Sequence, residues 1–419
     1  MRNFFSTLIF VSVITSFASA VQPLLYSPVL ENPWAMTASA ILIQPQQDRS
    51  VRGEIQLLPQ RENIFLVENA STAKFTYQLQ KNKKAPLIYI IPGTGASHTS
   101  NTSLALAERL YGLGYHVVTV ASPLNWTFAV SSSVNALPGH PEQDAQDLYK
   151  ILVKIHKFLR AEHGLKPVTT SLTGYSLGAL ESLFVKRIDD SRQQLKLSRV
   201  LLINPPVDLI YAVHKLDEMY EFGSNIPAGR KAYIVGRLAD VGLDLLNSLQ
   251  GPPTPLDLER ILKTLGFTNR DLAYLIAGSF RTSLKDTIFA SQQVHDLKIL
   301  KRPATRFHRN NRYDEAGAIS FADYMNHFVL PNLQKTKGSQ YQIQDLNEES
   351  SLYQFAEMIK TNPQIFLAHA QDDFLLKESD LTWLQDTFGE RALIFPYGGH
   401  CGNIAFPAFA EYLQHVFGK

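Results

Sequence analysis

Strand-like segments alternate with helix-like segments between residues 87 and 203, and the first strand-like segment, residues 87–91, is continuously apolar. A continuous apolar run is typical of a strand that is buried on both faces of a sheet. The segments between the runs carry apolar residues at helical spacing, most clearly over residues 141–159. Regular alternation of strand and helix predicts an α/β fold with a doubly wound, mostly parallel sheet. The predicted strands are residues 87–91, 115–120, 168–172 and 200–203.

The segments on either side of this alternating region predict how the rest of the chain is organised. Residues 205–362 break the alternation, are rich in helical patterns and are too long for an ordinary crossover, which predicts an inserted, mainly helical cap. Strands resume at residues 364–368 and 392–395, so the core is predicted to comprise residues 21–204 and 363–419. Three strand-like segments that precede the alternating region predict an antiparallel entry to the sheet: residues 40–43, 54–57 and 74–79.

Residues 1–20 have the three parts of a secretory signal peptide. Arg2 supplies the positive charge, an apolar stretch follows, and the small residues Ala18 and Ala20 form the cleavage motif. The apolar stretch is shorter than the roughly 20 residues that a membrane span needs. We therefore expect a secreted or periplasmic protein, cleaved after Ala20, with no stable membrane span.

Charge and cysteine content exclude several classes of function. The formal net charge is only +2 and no long basic run is present, so a nucleic-acid partner is not expected. Cys401 is the only cysteine, which leaves no intramolecular disulfide and no paired-cysteine metal site. The sequence also lacks the H-E-x-x-H and P-loop motifs. We expect neither a metal nor an organic cofactor.

The pentapeptide Gly174-Tyr175-Ser176-Leu177-Gly178 lies between a predicted strand and a predicted helix. This G-x-S-x-G pattern at such a junction is typical of a nucleophile elbow, a sharp turn that exposes a serine at the end of a strand. The flanking glycines remove Cβ atoms that would collide across so tight a turn. The sequence therefore predicts Ser176 as a nucleophile.

A serine nucleophile needs a base and an acid to orient that base. His400 follows a late strand in a glycine-rich loop and is the best-placed histidine. Asp372 and Asp373 follow the strand before it, and neighbouring side chains in an extended loop point apart, so only one should reach His400. We favour Asp373, with Asp372 as the alternative and Asp208, after an earlier strand, as a third candidate. The order serine, acid, histidine is that of α/β-hydrolases.

An oxyanion hole requires two N–H donors aimed at one point. The N–H of Leu177, directly after the nucleophile, is one candidate. The second is expected from the turn after the strand at residues 87–91, where we favour Thr94 and then Gly95. The same glycines could suggest a dinucleotide-binding G-x-G-x-x-G motif, but His98 stands where the third glycine is required.

These residues together resemble the α/β-hydrolase superfamily over about residues 85–205 and 363–417. The pairing of Asp372-Asp373 with a later Gly-Gly-His is similar to one branch of lipid and carboxyl esterases, and this resemblance implies Asp373 as the acid. Two positions depart from that pattern: Pro92 stands where a histidine is usual, and Ala370 where a glycine is usual.

The resemblance and the motifs predict a serine hydrolase, of carboxylesterase or lipase type, that acts on a small-molecule or lipid-like ester. The apolar residues of the cap, such as Leu209 and Ile234, suggest a moderately hydrophobic acyl group. Two alternatives remain open at this point. One is a peptidase or amidase that uses the same three residues, and the other is an exported binding protein that keeps the fold without catalysis. The sequence does not predict an oligomeric state.

Overall fold

The computed structural model describes residues 32–61, 70–238, 240, 244, 248–249 and 255–418. The predicted signal peptide at residues 1–20 lies outside the described residues. Within the described part of the chain, one eight-stranded sheet has the order β1-β2-β4-β3-β5-β6-β7-β8. The strands are β1 Val51–Gln56, β2 Thr72–Gln78, β3 Leu87–Ile91, β4 His116–Thr119, β5 Thr170–Tyr175, β6 Leu197–Ile203, β7 Ile365–Ala370 and β8 Ala392–Phe395.

The sheet is parallel from β4 to β8, and β2 runs antiparallel to both β1 and β4. This is the α/β-hydrolase arrangement, so the predicted fold class is confirmed. β5 lies between β3 and β6, with Ile91 opposite Gly174 and Tyr175 opposite Ile203. The carboxyl ends of these three central strands therefore meet at one edge of the sheet, where ligands bind in open α/β folds.

Helices cover both faces of the sheet, because the side chains of each buried strand alternate between two apolar clusters. Leu87, Tyr89 and Ile91 belong to one cluster, and Ile88 and Ile90 belong to the other. The helices that precede and surround the central strands are α1 Pro33–Leu42, α2 Asn101–Gly112, α3 Trp126–Ser131, α4 Pro141–His163 and α5 Leu177–Arg192. The last two helices of the chain are α15 Glu378–Phe388 and α16 Pro407–Phe417.

Between β6 and β7 the described residues form helices and no strand, as the sequence pattern predicts. A π-helical stretch, Met325–Val329, interrupts the predicted helix at residues 319–330. The helices of this region are α6 Leu209–Ser224, α7 Ala228–Arg237, α8 Pro255–Leu265, α9 Asn269–Val294, α10 Arg309–Gly317, α11 Phe321–Tyr324, α12 Leu330–Lys337, α13 Ile343–Ser350 and α14 Ala356–Thr361. None of the helices in the described ranges is long and apolar enough to cross a membrane.

The prediction of a strand at residues 40–43 is wrong, because this segment forms the end of α1 and the residue after it. Asn32 starts the helix: its side chain accepts hydrogen bonds from the N–H groups of Trp34 and Ala35, and Pro33 occupies the first turn. A short apolar run does not distinguish a strand from a buried helix. The sequence Asn32-Pro33, which is typical of a helix start, indicated the structure of this segment better than its apolar pattern did.

Candidate active site

Ser176 stands in the sharp turn between β5 and α5. Its backbone has φ 55° and ψ −130°, a conformation that non-glycine residues rarely adopt. The Ser176 N–H donates to the Ile203 carbonyl at 2.8 Å and ties the turn to the end of β6. A Cβ atom at Gly174 would collide with the Gly178 carbonyl, and one at Gly178 would collide with the Ile91 carbonyl. Both glycines are therefore required for the turn to approach its neighbours this closely.

The structure brings the side chains of Ser176, His400 and Asp373 into one hydrogen-bonded chain. His400 Nε2 lies 2.7 Å from Ser176 Oγ, and His400 Nδ1 lies 2.9 Å from Asp373 Oδ2. All three residues are buried. A carboxylate that accepts from Nδ1–H leaves Nε2 free to accept the serine proton, which is the arrangement of an activated nucleophile.

The two neighbouring aspartates point in different directions. Asp373 Oδ1 accepts from the Leu375 N–H at 3.0 Å, while Oδ2 faces His400. Asp372 Oδ1 instead accepts from the Gly399 N–H at 2.8 Å, so this carboxylate supports the histidine loop through its backbone. Only Asp373 of the pair contacts the imidazole.

The third candidate acid, Asp208, has a different position. Its carboxylate accepts from the Tyr211 N–H at the start of α6 and forms an ion pair with Lys377. It therefore caps a helix and has no contact with His400 in the structure.

Burial and charge together set the pKa values of the buried His400–Asp373 pair. Burial disfavours the imidazolium of His400, but Asp373 and the neighbouring Cys401 together outweigh this effect, and the pKa of His400 is raised well above its ordinary value. Burial also disfavours the Asp373 carboxylate, but the charge and hydrogen bond of His400 lower its pKa below the ordinary value. Asp373 is therefore held in its ionised form beside the His400 imidazole.

Asn204 is a member of this group that sequence reasoning missed. It follows β6 directly, and its side-chain amide donates to Asp373 Oδ2 at 3.0 Å. Its φ of 46° lies in the left-handed region, which asparagine tolerates better than most residues. An asparagine directly after a buried strand was the available signal. The role of Asn204 depends on β7, because the loop after that strand brings Asp373 beside it, and the local sequence does not show this contact.

Helix α1 supports the backbone of the histidine loop. Thr37 Oγ1 accepts from the His400 N–H at 2.8 Å. A Cβ atom at Gly399 would collide with the Pro33 carbonyl, and Gly399 also has a φ of +52°. Gly399 thus allows α1 to pack directly against the loop, a contact that the sequence did not predict.

The predicted oxyanion residues lie around the nucleophile. Leu177 is the first residue of α5, where a backbone N–H has no partner within the helix. Thr94 and Gly95 follow β3 and border the same cavity as Ser176. The Gly95 carbonyl accepts from the Asn125 side chain at 2.7 Å, which fixes the direction of this turn. The β3 turn and the first residue of α5 thus both lie beside the cavities that Ser176 borders.

The site opens into a cavity of about 380 Å³, bordered by the β3 turn, the histidine loop, α1 and α9. Within the described ranges, no group of three or more histidine, cysteine or acidic side chains is arranged to hold a metal ion. The chemistry that this arrangement supports is attack by the Ser176 hydroxyl with His400 as the base.

Comparison with known proteins finds similarity at the level of general shape. No protein-family model matches the chain, and no curated protein matches its sequence. Among solved structures, an esterase from the fungus Rhizomucor miehei is 12% identical and aligns over 94% of this chain and 90% of its own, with a TM-score of 0.44. An esterase from the archaeon Pyrobaculum calidifontis is 15% identical over 91% and 88%, with a TM-score of 0.40. A thioesterase domain from the curacin biosynthetic pathway is 14% identical over 88% and 99%, with a TM-score of 0.38.

Proposed function

We propose that the protein is an exported serine hydrolase that cleaves carboxylic esters through an acyl-enzyme. The observation that carries this proposal is the hydrogen-bonded chain from Ser176 Oγ through His400 to Asp373, with distances of 2.7 Å and 2.9 Å. These contacts supply a nucleophile, a base and an orienting carboxylate in one buried place. The proposed export depends on residues 1–20 acting as a signal peptide that is cleaved after Ala20.

The first half of the reaction forms the acyl-enzyme. Ser176 Oγ attacks the ester carbonyl carbon while His400 Nε2 takes the hydroxyl proton. The carbonyl oxygen becomes an oxyanion, which the N–H groups of Leu177 and Thr94 stabilise, with Gly95 as the alternative to Thr94. The bond from carbon to the leaving oxygen then breaks, and His400 Nε2 returns its proton to that oxygen.

The second half uses water. A water molecule attacks the acyl carbon and gives a proton to His400 Nε2, and a second tetrahedral oxyanion forms at the same donors. The bond from carbon to Ser176 Oγ breaks, the serine recovers the proton, and the carboxylic acid leaves. Asp373 orients the imidazole through both halves, and no metal or organic cofactor takes part.

Residues 205–362 are proposed to act as a cap over this site. Helix α9 supports this role, because Ile276, Phe280 and Ser283 of this helix border the cavity that contains Ser176. Leu209 of α6 borders a second, apolar cavity at the nucleophile. Ile234 borders neither, so it offers no support for a hydrophobic acyl site.

A fluorophosphonate probe tests the proposal directly. Attack by Ser176 Oγ on phosphorus displaces fluoride and leaves a stable adduct. We expect the wild type to be labelled at Ser176 and the Ser176→Ala variant to be unlabelled. The control Ser191→Ala, near the end of the helix that follows Ser176, should label normally. Failure of the folded wild type to label would favour a non-catalytic binding protein.

Substrate panels separate the two hydrolase alternatives. Aryl esters and aminoacyl amides are offered to the same preparation, and we expect turnover of the esters. Preferential cleavage of the amides would assign the protein as a peptidase or amidase instead. Export is tested by sequencing the N-terminus of the secreted product, which we expect to begin at Val21.

A further inference from the structure

Two cavities with different linings meet at the nucleophile. The larger, of about 380 Å³, is bordered by both Ser176 and His400. The smaller, of about 40 Å³, is bordered by Ser176 and Leu177 and does not reach His400. Thr94, Ser176 and Phe280 border both cavities, so they mark the boundary between them.

The position of His400 determines which part of an ester enters which cavity. In the proposed reaction His400 Nε2 must deliver a proton to the leaving oxygen, and a proton donor must lie within hydrogen-bond reach of its acceptor. The alcohol part of the ester therefore lies in the larger cavity, on the His400 side. The acyl chain is left with the smaller cavity on the other side of Ser176.

The smaller cavity is apolar and short. Its volume of about 40 Å³ is about a tenth of that of the larger cavity, and only a few times the roughly 10–15 Å³ that a cavity needs to hold one water molecule. This space accepts a methyl or ethyl group without rearrangement, and close-packed walls resist longer chains. The side chains that form the walls come from α6, α9, α11 and the loop after β7: Leu209, Val213, Leu216, Phe280, Phe321 and Leu375.

The larger cavity is bordered by hydroxyl groups that already donate their hydrogens to backbone carbonyls. Thr102 Oγ1 donates to the Ala40 carbonyl, Ser279 Oγ to the Ile276 carbonyl, and Ser283 Oγ to the Ser279 carbonyl. A hydroxyl oxygen has two lone pairs, so a hydroxyl that donates its hydrogen can still accept one. These hydroxyls therefore offer acceptors within an otherwise largely apolar lining, and such acceptors match hydroxyl hydrogens on a ligand.

The larger cavity carries no fixed charge. Among the described residues that border it, none is aspartate, glutamate, lysine or arginine, and His400, the base, is neutral in the form that starts the proposed reaction. A charged leaving group such as a phosphate ester or a quaternary ammonium would lose its hydration without a partner. A neutral alcohol has no such cost.

We propose that the substrate is an acetyl or propionyl ester of a neutral alcohol that carries further hydroxyl groups, such as a polyol or a saccharide. This inference rests on the proposed function, since it assigns the two cavities from the path of the proton in that reaction. It narrows the acyl group from the moderately hydrophobic chain that the sequence suggests to one of two or three carbons.

The acyl side is tested with 4-nitrophenyl esters of two, four, six and eight carbons. We expect kcat/KM to fall at least tenfold between the two-carbon and six-carbon esters, since one methylene in a tight apolar pocket changes rates by about tenfold or more. A flat profile, or a preference for eight carbons, would overturn the acyl assignment.

Phe280→Ala tests the boundary between the cavities. Phe280 is half-buried, so its truncation removes the wall with little risk to folding. We expect the variant to gain about tenfold in six-carbon activity relative to two-carbon activity. Leu216, which is buried and borders the smaller cavity, gives a second variant. We expect Leu216→Ala also to raise six-carbon activity relative to two-carbon activity. The matched control is Phe289→Ala, also half-buried on α9 but bordering a separate groove with Trp126, and it should keep the wild-type profile.

The alcohol side is tested with three acetyl esters of similar size. Glycerol monoacetate carries two hydroxyls, propyl acetate lacks them, and acetylcholine carries a positive charge. We expect kcat/KM to be about tenfold higher for glycerol monoacetate than for propyl acetate, the effect of one or two hydrogen bonds, and lowest for acetylcholine. Equal rates for the first two, or a preference for acetylcholine, would overturn the alcohol assignment.

The fluorophosphonate experiment distinguishes a failure of the proposed substrate class from a failure of the proposed function. If Ser176 is labelled but the ester profiles contradict these expectations, the substrate class is wrong while the serine hydrolase proposal stands. If Ser176 is not labelled and no ester is cleaved, the proposed function itself fails.

Discussion

The side chain of Asn204 donates a hydrogen bond to Asp373 Oδ2, the same carboxylate oxygen that faces His400 Nδ1. Two donors, one directly after β6 and one in the loop after β8, therefore share one acceptor. The second oxygen of the carboxylate is held by the Leu375 N–H. With both oxygens engaged, the carboxylate has one orientation, and the imidazole that pairs with it is fixed in turn.

Replacement of Asn204 by glycine tests this positioning role. Glycine tolerates the φ of 46°, so the variant loses the amide donor without adding backbone strain. We expect kcat to fall about tenfold, in line with a hydrogen bond to a charged group, while KM stays close to that of the wild type. Without this donor, the charge on Asp373 Oδ2 is less shared and stabilises the His400 imidazolium more strongly. The pKa of His400 should then rise, and the midpoint of the pH profile with it. An unchanged pH profile would indicate a structural role alone.

The two aspartates of the acid loop are predicted to differ in their effect on catalysis. Asp373→Asn removes the charge beside His400 and should lower kcat by about 10⁴-fold, the effect expected when the imidazole loses its orienting carboxylate. Asp372→Asn keeps an oxygen that can accept from Gly399 N–H and should cost less than tenfold. Steady-state kinetics on one ester compare the two variants, and the reverse ranking would make Asp372 the acid.

The pH dependence of activity should report the pKa of His400. The base must be deprotonated to accept the serine proton, so kcat/KM rises as pH rises through this pKa. Because the Asp373 carboxylate raises the pKa above the ordinary 6.5, the midpoint of the rise should lie above 6.5. In Asp373→Asn the residual activity should show a midpoint shifted to lower pH. A wild-type midpoint at or below 6.5 would contradict the coupling.

Gly93 is predicted to leave the space that the Ser176 side chain occupies, so that any larger residue there would displace the nucleophile. A Cβ atom at this residue would lie 2.8 Å from the Cβ of Ser176, closer than two carbons can approach. We expect Gly93→Ala to slow fluorophosphonate labelling at least tenfold and to lower the free energy of unfolding by about 1–3 kcal/mol, as overpacking does. Gly112→Ala is the control, because no atom lies within 4 Å of the added Cβ. Equal labelling of the two variants would exclude a steric role for Gly93.

The sequence predicted the central sheet and the residues that meet at its edge because each of those signals is local. A buried strand shows as an apolar run, and the turn at Ser176 needs glycines at fixed positions on either side. The order of Ser176, Asp373 and His400, each directly after a strand, then follows from the parallel sheet, whose strand ends converge. These predictions needed no knowledge of distant contacts.

Most of the missed features depend on contacts between distant segments. The helix that includes residues 40–42 is the exception: the apolar pattern there fits both a strand and a helix, and the local signal that separates the two is the helix start at Asn32-Pro33. Asn204 has a role only because β7 brings Asp373 beside it. Phe280 borders the site because a helix about a hundred residues after Ser176 packs over the edge of the sheet. No local pattern records such an approach.

The hydrogen bond between Thr37 and the His400 backbone joins residues 363 positions apart. Contacts of such sequence separation close slowly, since most of the intervening chain must be ordered first. During refolding, the sheet can therefore regain its far-UV circular dichroism signal before His400 reaches its position beside Ser176. Recovery of enzymatic turnover then reports the final closure of the chain, and it should lag behind recovery of secondary structure.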